Sequence, residues 1–256
     1  MASWQKELEF AVEAVRQAGE FTLGYFQNAA LEVEFKADRT PVTVADRGAE
    51  QRIREMLARA FPRDGILGEE QGEEPGSSGR RWIVDPIDGT QSFVRGVPLY
   101  GVLLGLEVDG ECMVGAAGFP ALSMTLWAAR GEGAWHDGKR IHVAPTSELG
   151  QATLCSSDIH PNHMGEANPG FQNLLAACGR YRGWGDCYGY ALVAMGRADI
   201  MIDPILAPWD CAALIPVLEE AGGVFVDWQG RRTAHGGNGI GTTPGLVDEV
   251  RRLLGA

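Results

Sequence analysis

Apolar and polar residues alternate with helical spacing at the start of the chain. Leu8, Val12 and Val15 recur with charged residues between them, which predicts an amphipathic helix. Its cap is expected at Ser3 and its end near Gln27. Similar patterns predict further helices at about 45–60, 188–195, 209–221 and 247–254.

Short apolar runs bounded by glycine, proline or aspartate predict the strands. They lie at about 31–35, 65–68, 82–84, 102–108, 112–117, 133–135, 141–143, 199–202 and 224–226. Asp-Gly pairs at 109–110 and 137–138 separate neighbouring runs and are hairpin signals, so antiparallel pairing is expected between 99 and 143. The polar, glycine-rich stretch from 72 to 79 is predicted to be a mobile surface loop.

One strand, Trp82-Ile83-Val84, has no polar residue within it. An unbroken apolar run of this kind is expected for a strand covered on both faces. Pro86 lacks a backbone donor and is expected to end the strand. Together the elements predict an α+β fold in which helices cover layered sheets.

Size, charge and cysteine usage narrow the classes of function. The chain has 256 residues, enough for a large core, and its formal net charge of −12 argues against nucleic-acid binding through a broad basic face. No apolar run approaches the length of a membrane span, and Lys6, Glu7 and Glu9 interrupt any signal-peptide core. The five cysteines are scattered and form no C-x-x-C pair. A cytoplasmic protein without membrane or nucleic-acid partners is therefore expected.

Two carboxylates follow the buried strand in a tight turn. Only Pro86-Ile87 separates Asp85 from Asp88, so one turn can direct both at one point. Two such charges about 4 Å apart repel by roughly 4 kcal/mol at an effective dielectric of 20, and a hard cation such as Mg²⁺ removes that repulsion. Gly89 permits close backbone approach, and a helix beginning near Thr90 would bind phosphate. The turn therefore indicates phosphate-ester chemistry.

Further acidic residues lie at the ends of predicted elements. Glu69 and Glu70 end a strand, whereas Asp46 and Asp210 open helices. An acidic side chain in a first helical turn is, by itself, often only a partner of the helix dipole. A D-x-x-D-G-T turn alone is likewise compatible with a plain loop. The case for a site therefore depends on all of these motifs together.

Taken together, the motifs match a family pattern over nearly the whole chain. The matching segments are Gly68-Glu69-Glu70, the run from Asp85 to Thr90, Trp209-Asp210 and the run from Glu220 to Gly223. The chain resembles the inositol monophosphatase-like, metal-dependent phosphatases. This resemblance implies an α-β-α-β-α sandwich with mixed and antiparallel sheets, as in inositol monophosphatase and fructose-1,6-bisphosphatase. It also implies one phosphatase domain over 1–256, with a metal-site half at 1–143 and a C-terminal half at 144–256.

The resemblance further implies hydrolysis of a small phosphate monoester by water that about two to three Mg²⁺ ions activate. The implied metal ligands are Glu69, Asp85, the carbonyl of Ile87, Asp88 and Asp210. The implied phosphate contacts are Asp88, Gly89 and Thr90. The implied catalytic residues are Glu69, Thr90 and Asp46, the last of which orients Thr90. A homodimer and inhibition by lithium are also implied.

The substrate is predicted from a branch of the family. Segments 91–98, 183–190 and 213–216 look most like the histidinol-phosphate phosphatases of histidine biosynthesis. Asp186 and Asp203 are both acidic, whereas inositol phosphatases typically carry a small neutral residue at the first position. A second carboxylate fits a substrate with an ammonium group and an imidazole. Asp186, Asp203 and Asp210 are the implied substrate contacts, with the amine and the ring not divided between Asp186 and Asp203.

Other functions stay open at the level of the sequence. Inositol 1-phosphate or a broad range of sugar phosphates is the alternative substrate class. An aspartyl-phosphate phosphatase would need D-x-D-x-T, and here Pro86-Ile87 places one residue too many between the aspartates. A regulatory binding protein that keeps the metal pocket is the non-enzymatic alternative. A calcium module is disfavoured because no ligand-dense loop of the EF-hand type is present.

Overall fold

The computed structural model describes residues 4–36, 40–160 and 168–255. Its helices in these ranges are α1 Gln5–Leu23, α2 Val44–Ala60, α3 Thr90–Val94, α4 Asn168–Ala177, α5 Asp186–Ala194, α6 Pro208–Cys211, α7 Leu214–Glu220 and α8 Val247–Leu254. Its strands are β1 Val33–Phe35, β2 Pro41–Thr43, β3 Gly65–Gly68, β4 Gly72–Glu74, β5 Arg80–Asp88, β6 Gly101–Val108, β7 Glu111–Phe119, β8 Met124–Ala129, β9 Gly133–His136, β10 Lys139–Arg140, β11 Thr153–Ser156, β12 Arg180–Arg182, β13 Ile200–Asp203, β14 Val224–Val226 and β15 Gly239–Thr242.

The larger sheet has eight strands in the order β10-β9-β8-β7-β6-β5-β3-β4. β3 runs parallel to β5, and the other neighbours are antiparallel. Helices α1 and α2 cover one face, where Trp82 and Val84 are buried with Ile53 of α2. Ile83 is buried in the cluster on the opposite face. The central strand is therefore covered on both faces, as its unbroken apolar run predicts.

The second sheet has five strands in the order β12-β11-β13-β15-β14. β11 is parallel to both β12 and β13, and the remaining pairs are antiparallel. Helices α4 and α8 pack together on its outer face, where Phe171 and Val250 are buried with Ile200. The sheet is thus mixed and lies under its own pair of helices.

A layer of helix lies between the two sheets. Ala191 of α5 and Val217 of α7 belong to one apolar cluster with Leu103 of β6 and Met201 of β13. The order of layers is α1 and α2, the large sheet, α5 with α7, the small sheet, and then α4 with α8. The predicted α-β-α-β-α sandwich of mixed and antiparallel sheets is therefore confirmed.

Both predicted hairpin turns are present. Asp109 and Gly110 have φ of 52° and 81°, and Asp137 and Gly138 have φ of 47° and 79°. Two successive residues in the left-handed region match the twist of the flanking strands, and Asp-Gly adopts that conformation at low cost. The second hairpin is shorter than expected, because β10 is Lys139–Arg140 and only the N–H of Ile141, which donates to the carbonyl of Ala134 at 3.0 Å, extends the pairing into the 141–143 segment.

Several predicted boundaries near the start are wrong. Helix α1 ends at Leu23, and residues 24–27 form turns in which Gln27 has a positive φ of 59°. The predicted cap Ser3 lies outside the described residues. The strand predicted from 31 to 35 is β1, and its partner is β2, which sequence analysis had left without a structure. Within the predicted 72–79 loop, the first three residues pair with β3 as the exposed strand β4.

Two prolines lie where the observed element boundaries differ from the predicted ones. Pro86 does not end its strand, because β5 continues to Asp88 with an irregular register between Asp85 and Asp88. The helix predicted from 209 to 221 is divided into α6 and α7. Pro216 explains the division, because it has no N–H to donate to the carbonyl of Ala212 in the preceding turn.

Within the described ranges, no helix combines the length and apolarity needed to cross a lipid bilayer. The division of the chain into halves at 1–143 and 144–256 stays a prediction. The large sheet uses residues 65–140 and the small sheet residues 153–242.

Candidate metal and phosphate site

Three buried or partly buried aspartates meet where β5 ends. Asp85, Asp88 and Asp210 each offer a carboxylate oxygen, and these oxygens lie within 4.8 Å of one another. The first two come from the irregular end of β5, and the third comes from the first turn of α6. The structure thus brings together three of the predicted metal ligands across more than a hundred positions of sequence.

Backbone donors hold each of these carboxylates in place. The N–H of Ile87 donates to Oδ1 of Asp85 at 3.0 Å, and the N–H of Ala207 donates to Oδ2 of Asp210 at 2.7 Å. The N–H of Cys187, in the first turn of α5, donates to Oδ2 of Asp88. Because each carboxylate keeps further lone pairs, these bonds orient the cluster without using up its capacity to bind a cation.

Two glycines let the Asp210 helix approach the large sheet. A Cβ on Gly105 of β6 would lie 2.7 Å from the carbonyl carbon of Ala212, and one on Gly115 of β7 would lie 1.9 Å from the carbonyl oxygen of Ala213. Only glycine permits so close a contact between backbones. The short helix carrying Asp210 is thereby seated directly against the strands beside β5.

The cluster is electrostatically unfavourable as a set of bare anions. Burial raises the pKa of Asp85 and Asp88 well above their ordinary value, and repulsion from neighbouring carboxylates raises both further. Burial likewise raises the pKa of Asp210 to about 7. A divalent cation would offset both the desolvation and the repulsion, and an all-oxygen donor set favours a hard ion. The residues present therefore fit a metal site.

Glu69 lies near this cluster but points its carboxylate at a lysine. Lys36 donates from Nζ to Oε1 of Glu69 at 2.8 Å and to Oε1 of Glu70 at 2.6 Å. Burial raises the pKa of Glu69, whereas the hydrogen bond from Lys36 lowers it. Among the neighbouring carboxylates, Glu69 repels the charge of Asp85 most strongly. The lysine therefore supplies the positive charge that this glutamate pair would otherwise lack.

Glu50 of α2 supports the turn that carries these glutamates. It accepts hydrogen bonds from the backbone N–H groups of Glu70 and Gln71 at 2.7 and 3.1 Å. Arg54 neutralises it through a bond from Nε at 2.8 Å. Sequence analysis missed Glu50 because a glutamate inside a polar helix gives no signal of burial.

The hydroxyl of Thr90 lies close to Asp46, the residue predicted to orient it. Oγ1 of Thr90 donates to the carbonyl of Ile87 at 2.9 Å and lies 3.4 Å from Oδ1 of Asp46. Oδ2 of Asp46 accepts from both the N–H and the hydroxyl of Thr43, at 2.8 and 2.6 Å. Asp46 is fully buried, so it is fixed with one oxygen toward Thr90.

Gly89 adopts a conformation that favours glycine. It caps α3 with φ of 80° and ψ of 40°. A Cβ at this position would lie 3.0 Å from Oδ2 of Asp186 and 3.2 Å from the carbonyl oxygen of Leu99. The glycine therefore satisfies both a left-handed turn and a close approach. It also shows that Asp186 lies directly beside the predicted phosphate cradle.

A pocket opens beside the aspartate cluster. Its lining residues are Asp88, Ser157, Asp186, Cys187, Tyr190, Ile205, Leu206, Asp203 and Asp210. All three predicted substrate contacts, Asp186, Asp203 and Asp210, are among them. Asp186 is therefore not a loop residue facing only solvent: it has φ of 53° and its N–H donates to Oγ of Ser157 at 2.7 Å. Sequence analysis missed Ser157 and Tyr190.

The chain is similar to known proteins over nearly all of its length. The model of the inositol monophosphatase family matches residues 3–252. A histidinol-phosphatase from Chlorobaculum parvum is 46% identical over 91% of this chain and 90% of its own length. A histidinol-phosphatase from Mycobacterium tuberculosis is 42% identical over 98% of each chain.

A solved structure has the same fold. The extragenic suppressor protein suhB from Bartonella henselae superposes with a TM-score of 0.89, at 30% identity, over 97% of this chain and 98% of that one. The chain belongs to the inositol monophosphatase family.

Proposed function

We propose that this protein is a Mg²⁺-dependent phosphomonoesterase that hydrolyses L-histidinol phosphate to L-histidinol and phosphate. The observation that carries the proposal is that the aspartate cluster and the neighbouring pocket have two residues in common. Asp88 and Asp210 belong both to the metal cluster and to a pocket that adds Asp186 and Asp203. A phosphate ester at the metal would therefore place its alcohol portion among carboxylates, as an ammonium-bearing substrate requires. The names of the similar histidinol-phosphatases support the same substrate.

The metal ligands in this proposal are the predicted set. Asp85, Asp88 and Asp210 would hold Mg²⁺, with Glu69 and the carbonyl of Ile87 completing the donors. Mg²⁺, when bound, supplies positive charge that neutralises the phosphate and lowers the pKa of water. We expect about two to three ions per site, because two-metal sites stabilise both the attacking and the leaving oxygen.

The protein's own groups orient the reactants and accept a proton. The N–H groups of Gly89 and Thr90, at the start of α3, would bind phosphate oxygens. Oγ1 of Thr90 would take a proton from the attacking water and pass its own proton to Oδ1 of Asp46. Burial raises the pKa of Asp46, so its carboxylate is a stronger base and a better acceptor for this proton.

The alternative substrate within this family is inositol 1-phosphate or a sugar phosphate. The hydroxyl groups of a polyhydroxylated ring can also donate to Asp203, so this carboxylate does not discriminate against such a substrate. The second carboxylate, Asp186, is the feature that favours a cationic substrate over a neutral one. A homodimer, lithium inhibition and a cytoplasmic location belong to this proposal as predictions. The aspartyl-phosphate class has no support from family membership.

The test is phosphate release from L-histidinol phosphate and inositol 1-phosphate, measured side by side with Mg²⁺ and with EDTA. We expect turnover that needs Mg²⁺ and a kcat/KM for histidinol phosphate at least tenfold higher. Preference for inositol phosphate would replace the substrate and keep the metal site. Absence of turnover on both would favour a regulatory binding protein.

A further inference from the structure

The turn that carries Glu69 is held along its whole backbone. It joins β3 to β4, and Gly68 packs against Glu50 so closely that a Cβ there would lie 2.1 Å from Oε1 of this glutamate. The N–H of Glu69 donates to the carbonyl of Val84 at 3.3 Å. The next two N–H groups of the chain donate to Glu50 at 2.7 and 3.1 Å. Contacts with Glu50 therefore flank Glu69 on both sides.

The carboxylate of Glu50 needs both of its oxygens for these contacts. Oε2 accepts from the N–H of Glu70, whereas Oε1 accepts from the N–H of Gln71 and from Nε of Arg54. The side chain of Glu50 is fully buried, so no water can replace a lost partner. A carboxylate offers two acceptor oxygens, whereas an amide offers one acceptor and one donor. Only an ionised glutamate of this length serves all three donors.

Arg54 ties Glu50 to the far end of the same turn. Its Nη2 donates to the carbonyl of Gly72, the first residue of β4, while its Nε donates to Glu50 at 2.8 Å. A buried ion pair is by itself weak evidence for a gain in stability. Here the pair directs all of these bonds at the few residues around Glu69, which indicates that it positions this turn.

Helix α2 carries a second contact of the same kind. Asp46, Glu50 and Arg54 follow one another at intervals of four residues and are all buried on one face of the helix. Asp46 lies 3.4 Å from the hydroxyl of Thr90, and Glu50, one turn later, holds the turn of Glu69. One rigid helix therefore positions two separate parts of the proposed site.

We propose that Glu50 is a positioning residue that sets the affinity of the site for Mg²⁺ by fixing the backbone of Glu69. This inference rests on the proposed function, because it takes Glu69 as a metal ligand. Glu50 acts through the backbone of the turn. Groups that hold a ligand in place commonly change metal affinity 10- to 100-fold when they are substituted.

The first test is Glu50→Gln, which keeps the size of the side chain and replaces one acceptor oxygen by a donor. One backbone N–H of the turn then has no partner. We expect the Kd for Mg²⁺, measured by titration calorimetry without substrate, to rise about tenfold. Turnover should need correspondingly more Mg²⁺. At saturating Mg²⁺, kcat and KM should change less than twofold, because the bound ion then holds Glu69 itself.

Amide hydrogen exchange gives a local readout that does not depend on activity. In the metal-free variant, the N–H of Glu70 or of Gln71 should exchange at least tenfold faster than in the parent protein, since it has lost its acceptor. Exchange in the strands of the large sheet should stay the same. NMR of the two proteins measures both rates.

Glu220→Gln is the matched control. Glu220 accepts from the N–H groups of Gly131 and Gly133, both at 2.8 Å, and so holds the turn between β8 and β9 with one carboxylate. The same chemical change at this other turn should lower the melting temperature and leave the Kd for Mg²⁺ unchanged.

Arg54→Lys tests the same contact with the buried positive charge retained. A single ammonium group lacks the fork that bonds Glu50 and the carbonyl of Gly72 together. We expect a smaller rise in the Kd for Mg²⁺, of about threefold. This variant decides the role of Glu50 if Glu50→Gln does not fold.

The outcomes separate this inference from the proposed function. If the parent protein binds no Mg²⁺, the proposed metal site fails and this inference fails with it. If the parent binds Mg²⁺ but does not hydrolyse histidinol phosphate, the proposed substrate fails and the Kd values still decide the role of Glu50. If Glu50→Gln binds Mg²⁺ as the parent does, only the role of Glu50 is refuted. An equal rise in Kd in Glu220→Gln would also refute it, because affinity would then follow general stability.

Discussion

The backbone N–H of Cys187 donates a hydrogen bond to Oδ2 of Asp88 across 99 positions of the chain. Cys187 stands in the first turn of α5, and Asp88 ends β5. This bond attaches the helix that carries Asp186 and Tyr190 to the aspartate cluster. This hydrogen bond therefore joins the pocket to the aspartate cluster.

Replacing an aspartate of the cluster should abolish turnover without unfolding the protein. For Asp88→Asn and Asp210→Asn we expect kcat/KM to fall at least 100-fold, because an amide is a poor ligand for Mg²⁺. The metal-free melting temperature should rise, since one buried charge and its repulsion are removed. Calorimetry with EDTA and a phosphate-release assay measure the two effects. Asp248→Asn, on the exposed face of α8, is the control.

Metal binding should depend on pH near neutrality. Burial raises the pKa of Asp210 to about 7, so below that pH a proton competes with the cation. The affinity for Mg²⁺ should weaken by up to tenfold per pH unit for each proton displaced, from pH 7 towards pH 5. Titration calorimetry in two buffers of different ionisation enthalpy would show the released protons. An affinity that is constant from pH 5 to 8 would contradict the placement of Asp210 as a ligand.

Asp186 should select for the cationic substrate. Asp186→Ala removes the carboxylate next to the phosphate cradle, so an ammonium group loses its counter-charge. We expect kcat/KM to fall more than tenfold for L-histidinol phosphate and less than threefold for inositol 1-phosphate, which is neutral at that position. Steady-state kinetics on both substrates measure the difference. Equal losses would show that Asp186 supports the site without discriminating between substrates.

Asp203 should reduce the stability of the ligand-free protein as pH rises. Burial raises its pKa from 3.8 to about 7, so the folded state holds a proton that the unfolded state has lost between these values. The free energy of unfolding should fall across that window by up to about 1.4 kcal/mol per pH unit and level off above it. Asp203→Asn should make this slope shallower, while Asp85, Asp88 and Asp210 keep their part of it, and the variant should be the more stable protein at pH 8. Denaturant titrations at pH 5 and pH 8 give the comparison.

A methyl group on β7 should displace the Asp210 helix. In Gly115→Ala the new Cβ would collide with the carbonyl oxygen of Ala213, only 1.9 Å away. We expect a loss of stability of about 1–3 kcal/mol, as for overpacking, with weaker Mg²⁺ binding. Gly150→Ala has open space around its Cβ and is the control. Normal Mg²⁺ affinity in Gly115→Ala would show that Asp210 does not depend on this contact.

Much of the fold follows from local pattern. The unbroken run Trp82-Ile83-Val84 predicts a strand covered on both faces, and the two Asp-Gly pairs predict hairpins, because each preference belongs to a few adjacent residues. The predicted end of the strand at Pro86 is wrong, because that end depends on a distant partner strand and not on adjacent residues. An irregular register lets the strand continue past a residue without an N–H, and only the partner strand allows that irregularity.

The sequence by itself predicted a metal site, because Asp85 and Asp88 lie in one turn and the other acidic motifs follow a family pattern along the chain. The tertiary structure decided which residues surround this turn. Lys36, Glu50 and Tyr190 give no signal in the sequence, since an ion pair, a buried carboxylate and a hydroxyl in a pocket wall arise only when distant elements pack together. The pocket depends on such packing, because its lining comes from β5, β13, α5 and α6 and from the loops beside them.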